Sequence, residues 1–182
     1  MPKETERQKN FFDICSHCTT NWSCCHETTP PMTANRKQII ETYLKKNGIQ
    51  IKNAFEKEDY VFPKLDSDGY CIFHDKNTRK CLVHKVKPET CVAGPITFDI
   101  NAKTGMIEWF VKMEKICPLA GRVYSNKSEL KKHVASAKKE VSRLVKELDS
   151  QDLSAILRRD EPETFKIDED KVDEIVLRKV RV

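Results

Sequence analysis

Eight cysteines are the residues of this 182-residue chain whose type and spacing could do chemistry. Four lie close together near the N-terminus, and the other four are spread between residues 71 and 117. The full set is Cys15, Cys18, Cys24, Cys25, Cys71, Cys81, Cys91 and Cys117. Cysteine thiolates bind zinc and also hold iron–sulfur clusters. The sequence therefore predicts a metal-binding protein, with all eight cysteines as candidate ligands.

The N-terminal group combines two patterns with different geometric consequences. Cys15 and Cys18 form a CxxC pair, which lets two thiolates from one tight loop face the same metal. Cys24 and Cys25 are adjacent, and adjacent side chains usually point in different directions. This arrangement suits either two neighbouring metal sites or one cluster with an extra thiol, and we expect Cys24 and Cys25 to play different roles.

The identity of the metal stays open between an iron–sulfur cluster and zinc. Eight thiolates could fill two four-thiolate zinc sites or two four-iron clusters. A zinc ribbon needs two CxxC knuckles, and the chain has one. The CxxCxxC run of bacterial ferredoxins is also absent. Because the pattern is rich in thiols and poor in knuckles, it favours an iron–sulfur cluster, with zinc as the alternative.

The ends and the composition of the chain indicate where these thiols reside. The N-terminus lacks the apolar core of a signal peptide, and no stretch approaches the length of about 20 apolar residues that spans a bilayer. We therefore expect a cytoplasmic protein with no membrane partner. Thiols stay reduced in the cytosol, which favours metal ligands over disulfides.

Charge and motifs limit the other functions. The net charge of +5 is mild for a nucleic-acid-binding protein. The two basic runs, Lys76–Lys87 and Lys127–Lys146, are most simply interpreted as solvated faces. The chain contains no GxGxxG, no GxxxxGK[ST] and no HExxH, so the common nucleotide and metalloprotease sites are not indicated.

Several elements must position the cysteines. Apolar spacing predicts a helix over 34–46, capped by Thr33 or Asn35 and stopped by Asn47-Gly48. Two hairpins are expected, the first with arms at 69–74 and 80–84 and the second at 96–100 and 106–112. A helix start is expected at Pro88.

The residue pattern of the C-terminal part predicts mainly helices. A stripe that includes Ala137, Val141 and Leu144 predicts a long amphipathic helix over 128–148, capped by Ser125 or Ser128. A short helix around 153–157, an acidic segment and a last amphipathic piece follow. The expected fold class is α+β, a small irregular metal-stabilised domain at 1–120 followed by a helical extension at 121–182 that packs on it.

The histidines and tryptophans have secondary roles in this interpretation. His17 and His26 flank the first cysteine group, and His74 and His84 each follow a cysteine by three residues at matching positions on the two hairpin arms. These four are either ligands and their supporting donors or solvent-facing side chains, and the latter is favoured. His133 is placed on the polar side of the long helix, away from the site. Trp22 is expected to shield the cluster, and Trp109 and Phe110 to belong to the core.

The order of the cysteine motifs resembles the CxxCxxCC cysteine-cluster family (YkgJ-like), which is described as a zinc- or iron-chelating domain. The resemblance rests on CSHCTTNWSCC and then on GYCIFHDKNTRKCLVHKVKPETCVAGPITF, and it covers roughly residues 11–117. It departs from the family pattern in the five residues between Cys18 and Cys24 and in Lys87, which replaces an arginine. The resemblance implies a compact cysteine-rich domain of a kind often labelled an iron–sulfur oxidoreductase. Related domains occur in flagellin lysine N-methylases.

Two classes of function follow. In the first, the chain is an iron–sulfur protein with a redox or modification-enzyme role, acting with an unknown protein or redox partner. In the second, it is a zinc-stabilised binding module whose basic long helix docks nucleic acid or an acidic protein. No catalytic residue is indicated, because no nucleophile–base arrangement or paired carboxylates identify a reaction.

Overall fold

A computed structural model of the chain describes residues 24–117, 120–159 and 163–181, apart from the side chain of Arg122. The helices are α1 (Ala34–Lys46), α2 (Glu89–Ala93), α3 (Ala120–Ser125), α4 (Lys127–Glu147), α5 (Ser150–Leu157) and α6 (Glu174–Val180). The strands are β1 (Phe55–Lys57), β2 (Val61–Pro63), β3 (His74–Asp75), β4 (Lys80–Cys81), β5 (Ile96–Asn101), β6 (Met106–Lys112) and β7 (Thr164–Lys171). A short 3₁₀ turn covers His84–Val86. The expected α+β class is confirmed.

The N-terminal half of the described chain consists of α1 and two small hairpins. Helix α1 has the predicted bounds, and the Thr33 hydroxyl accepts a hydrogen bond from the backbone N–H of Arg36. Strands β1 and β2 pair antiparallel, as do the two-residue strands β3 and β4. The first predicted hairpin is therefore confirmed, with arms much shorter than the sequence indicated. Met32, Ile40, Phe73 and Val83 are buried in the core of this half.

The C-terminal half is a three-stranded antiparallel sheet packed on α4. Strands β5 and β6 form the second predicted hairpin, and Trp109 of β6 is almost fully buried. The predicted stripe of α4 covers this sheet, with Ala137, Val141 and Leu144 in the same core. Phe110 is half-buried, because neighbouring strand residues face opposite sides of a sheet.

Two expectations for the C-terminal part were wrong or incomplete. The cap of α4 is Asn126, not Ser125 or Ser128, and its side chain accepts hydrogen bonds from the N–H groups of Ser128 and Glu129. The acidic segment contains strand β7, which pairs with β6 at the edge of the sheet. No apolar pattern marks this strand in the sequence, because six of its eight residues are charged or polar, as is common in edge strands.

The final amphipathic piece is helix α6, capped by Asp173. Among the described residues, no helix is both long enough and apolar enough to cross a membrane.

Candidate metal centre

Backbone hydrogen bonds bring three of the predicted cysteine ligands into one neighbourhood. The N–H of Cys71 donates to the carbonyl oxygen of Cys25 at 2.7 Å. The carbonyl oxygen of Cys71 in turn accepts from the N–H of His74 at 2.7 Å. His74 is paired with Cys81 across β3 and β4. One continuous backbone path therefore joins the Cys24-Cys25 pair to both cysteines of the first hairpin.

The thiols of this neighbourhood influence one another electrostatically. Burial raises the pKa of Cys71 to about 12, and the nearby thiols of Cys81 and Cys24 contribute to the rise. Burial also raises the pKa of Cys91 well above its ordinary value, with further contributions from Cys24, Cys71 and Cys81. In such a group each added negative charge makes the next thiol harder to deprotonate.

The adjacent residues Cys24 and Cys25 have unequal environments, and their different roles as ligands stay a prediction. The residue Cys24 is exposed, whereas Cys25 is half-buried. A hydrogen bond between the two thiols is the main cause of the raised pKa of Cys24, ahead of burial. The exposed surface of Cys24 supports this order of causes. The two thiols therefore stay in contact while presenting different surfaces.

Three predicted ligands are not placed in this group by the described residues. Cys15 and Cys18, together with His17 and Trp22, lie outside the described residues. Cys117 packs against the main core, and its N–H donates to the carbonyl oxygen of Met113 at 3.0 Å. Its role as a ligand stays a prediction.

The burial of one lysine of this region was not predicted from the sequence. Lys87 was assigned to a solvated basic run, but it is 5% exposed. Its positive charge lowers the pKa values of Cys24 and Cys91, and Lys112 acts on Cys24 in the same sense. These two effects are smaller than the causes that raise the pKa values. They act in the direction that stabilises thiolates.

The histidines of this region are also placed differently from the expectation. The ring of His74 stacks on that of Tyr70, with centroids 4.9 Å apart, and the ring of His26 packs on the same tyrosine at 4.6 Å. The Nδ1 atom of His74 is buried and has no hydrogen-bond partner among the described residues. His74 is thus not a solvent-facing side chain. His84 lies in the 3₁₀ turn, so it does not occupy the position opposite His74.

A buried polar network surrounds the segment that carries Cys91. The Glu89 carboxylate has no exposed surface and accepts a hydrogen bond of 2.8 Å from the Thr33 hydroxyl. At the other end of α2, Nε2 of His133 lies 3.0 Å from the carbonyl oxygen of Ala93. The placement of His133 on the polar side of the long helix was wrong, since this residue is 2% exposed. Neither contact has a signal in the sequence, because both join segments far apart in the chain.

The donor chemistry of the thiol group fits a metal that prefers sulfur, although the described part holds only some of the donors. In residues 24–117, 120–159 and 163–181, no three Cys, His, Asp or Glu side chains are arranged closely enough to hold an ion. Cys24, Cys71 and Cys91 are reduced thiols. Thiols with raised pKa values, such as those of Cys71 and Cys91, are the kind of donors from which a bound cation displaces protons.

Comparisons with known proteins agree with this donor set. The family model CxxCxxCC, described as a "Putative zinc- or iron-chelating domain", matches residues 14–118. The "Uncharacterized protein MJ0661" of Methanocaldococcus jannaschii is 27% identical over 106 residues. That alignment covers 54% of this chain and 56% of the relative, so the chain spans little more than half of that relative's length. No solved structure matches the chain.

Proposed function

The chain belongs to the CxxCxxCC family, and from that premise we propose that it binds its metal through cysteine thiolates as an iron–sulfur cluster. The family description covers zinc or iron chelation, and the cluster is the more specific part of the proposal. The observation that carries it is the backbone hydrogen bond from Cys71 to Cys25, which together with the pairing of His74 with Cys81 brings candidate thiols from separate chain segments into one neighbourhood.

The ligand set in this proposal extends across the first half of the chain. Cys71, Cys81 and Cys91 supply three thiolates from separate elements, and the Cys24-Cys25 pair supplies at least one more. Cys15 and Cys18, which the family match includes, would complete the set. Cys117 lies within the match as well and is the least supported ligand, because it packs against the main core.

The charges around the thiols support an anionic thiolate centre. Several thiolates around one metal group carry excess negative charge, which is costly to bury without compensation. Lys87 is buried and Lys112 is half-buried, and both act on Cys24. Such lysines stabilise the deprotonated ligands that both zinc and iron–sulfur centres require. When bound, an iron–sulfur cluster would supply one-electron redox chemistry.

The basic long helix gives less support to the alternative function, a zinc-stabilised module that docks nucleic acid or an acidic protein. Lys138 of α4 bonds to Asp168 at 2.6 Å and to Asp170 at 2.7 Å. Lys146 bonds to Asp173 at 2.8 Å. These ion pairs neutralise part of the basic run, because β7 and the residue capping α6 bring carboxylates against it. Metal binding is therefore the function that the geometry supports best.

The test is metal and sulfide analysis of the full chain, expressed with iron supplementation and purified under strict anaerobiosis. We expect iron and acid-labile sulfide in comparable amounts, with visible absorption from thiolate-to-iron charge transfer. Stoichiometric zinc without sulfide would overturn the cluster and leave thiolate metal binding in place. A protein that takes up neither iron nor zinc would overturn the whole proposal.

A further inference from the structure

Helix α2 is too short to hold Cys91 in place by itself. It has five residues, Glu89–Ala93, and Cys91 stands in its middle. Isolated helices of this length are unstable in water, because the conformational entropy lost in forming the first turn outweighs the free energy of its few hydrogen bonds. The direction in which the Cys91 thiol points must therefore be determined by groups that hold the ends of α2.

The N-terminal end of α2 is held by an ion network. Besides the Thr33 hydroxyl, the Glu89 carboxylate faces Nε of Arg36 at 3.5 Å and the guanidinium of Arg143 at 3.8 Å. Arg36 also contacts Glu140 at 2.5 Å and donates to the carbonyl oxygen of Lys87 at 3.1 Å. Arg143 contacts Glu140 as well. Two arginines and two glutamates thus join α1, α2 and α4.

The C-terminal end of α2 is held by one histidine. Nε2 of His133 lies 3.0 Å from the carbonyl oxygen of Ala93 and 3.1 Å from that of Gly94. Since both facing atoms are acceptors, this nitrogen carries the hydrogen and donates it. The last carbonyl groups of a helix lack partners within the helix, so a donor placed there stabilises its end.

Both clamps include side chains from one face of α4. His133, Glu140 and Arg143 lie within ten residues of one another, which is a little under three helical turns. This helix lies outside the part of the chain that the family model matches, which ends at residue 118. Simple apolar packing would not require a donor at one end of α2 and a charge network at the other.

We propose that α4 is the positioning element of the metal centre, holding α2 at both ends so that the Cys91 thiol faces the other cysteines. This inference rests on the proposed thiolate metal centre. His133 and Glu89 act as positioning residues, since neither is a thiol donor and each acts through the backbone of α2. The metal-binding unit of this chain consequently extends beyond the family-matched segment, to include α4.

The experiment is an anaerobic titration of the reduced full chain with Co²⁺, whose thiolate charge-transfer and d–d bands report the number and geometry of sulfur ligands. We compare wild type with His133→Leu, which removes the donor, and with His133→Gln, whose amide nitrogen can take the place of Nε2. Zinc competition then gives the affinity. We expect His133→Leu to lose roughly 10-fold or more in affinity and to show weaker charge-transfer bands, and His133→Gln to recover most of both.

Two further variants separate positioning from general destabilisation. Val141→Ala removes core volume from α4 without touching either clamp, and we expect it to keep the wild-type Co²⁺ spectrum. Arg143→Met keeps Arg36 as a partner of Glu89, so it should fold and lose about 3-fold in affinity even if His133→Leu does not fold.

Three results would contradict the positioning role or the proposed function. Wild-type spectra and affinities for both His133→Leu and Arg143→Met would overturn the positioning role while leaving the metal centre intact. The positioning role would also be overturned if Val141→Ala changed the Co²⁺ spectrum as much as His133→Leu does. That result would show that any weakening of α4 disturbs the site. A wild-type chain that binds neither Co²⁺ nor zinc and takes up no iron would instead refute the proposed function.

Discussion

The N–H of Cys71 donates to the carbonyl oxygen of Cys25 at 2.7 Å, although 46 positions separate the two residues. This hydrogen bond places the first hairpin against the Cys24-Cys25 pair before any metal is considered. The thiol group is therefore partly organised by the backbone, and a metal would complete an arrangement that the fold has begun.

Substitution of single cysteines should divide them into ligands and bystanders. We expect Cys71→Ser and Cys91→Ser each to lower the metal content of the anaerobically purified protein by at least half, since each removes a buried donor. Cys117→Ser is the matched control, because Cys117 packs against the main core. Metal analysis per chain makes the comparison. Equal losses in all three variants would make Cys117 a ligand, and undiminished metal in Cys71→Ser would exclude Cys71.

Metal removal should lower the thermal stability of the chain. Strands β3 and β4 have two residues each and α2 has five, so the elements carrying Cys81 and Cys91 have few hydrogen bonds of their own. Metal bound to the folded state alone would stabilise these elements. We expect a lower Tm after anaerobic chelation and recovery on adding the metal back. An unchanged Tm would show that the fold does not depend on the metal.

Metal uptake should strengthen as the pH rises from 6 to 9. The pKa of Cys71 is raised to about 12 and that of Cys91 is raised as well, so both thiols are protonated at neutral pH in the metal-free chain. A bound cation must displace these protons, and protons compete with it more strongly at low pH. Calorimetry of zinc binding in buffers of different ionisation enthalpy should show net proton release. Binding without release would contradict protonated thiols.

The stability of the metal-free chain should fall below about pH 6.5 through His133. Burial lowers the pKa of His133 from its ordinary value of 6.5, and the nearby charge of Lys87 adds to the effect. Below pH 6.5 this histidine binds a proton in the unfolded chain. In the folded chain it stays neutral until the pH falls to its lower pKa. Stability contributed by neutral His133 is thus present above pH 6.5 and is lost as the pH falls. Urea denaturation of His133→Asn should show a flatter pH dependence than wild type, and parallel curves would refute the assignment.

The cap of α4 gives a prediction that is independent of metal. Asn126→Ala removes the side chain that accepts hydrogen bonds from the N–H groups of Ser128 and Glu129. We expect a loss of about 1 kcal/mol in the free energy of unfolding. Ser128→Ala is the control, with an expected change within about 0.5 kcal/mol, because Ser128 is an exposed residue inside the helix. Urea denaturation checks both, and the reverse order would restore Ser128 as the cap.

Local features of the fold were accessible from the sequence. Helix α1, the second hairpin and the apolar stripe of α4 follow from residue spacing and turn residues, which act over a few positions. Strand β7 was not accessible in this way. Its pairing with β6 depends on an edge that forms only when the sheet is assembled, and its charged residues bond to partners such as Lys138 on α4.

The donor chemistry is readable along the chain: eight thiols, one CxxC and an order of motifs that the family model matches. Folding alone brings Cys71 against Cys25, buries Lys87 and places His133 at the end of the Cys91 helix. The reason is the range of the interactions. Spacing along the chain reports the face of a helix or strand, whereas burial and long-range hydrogen bonds depend on segments that only folding brings together.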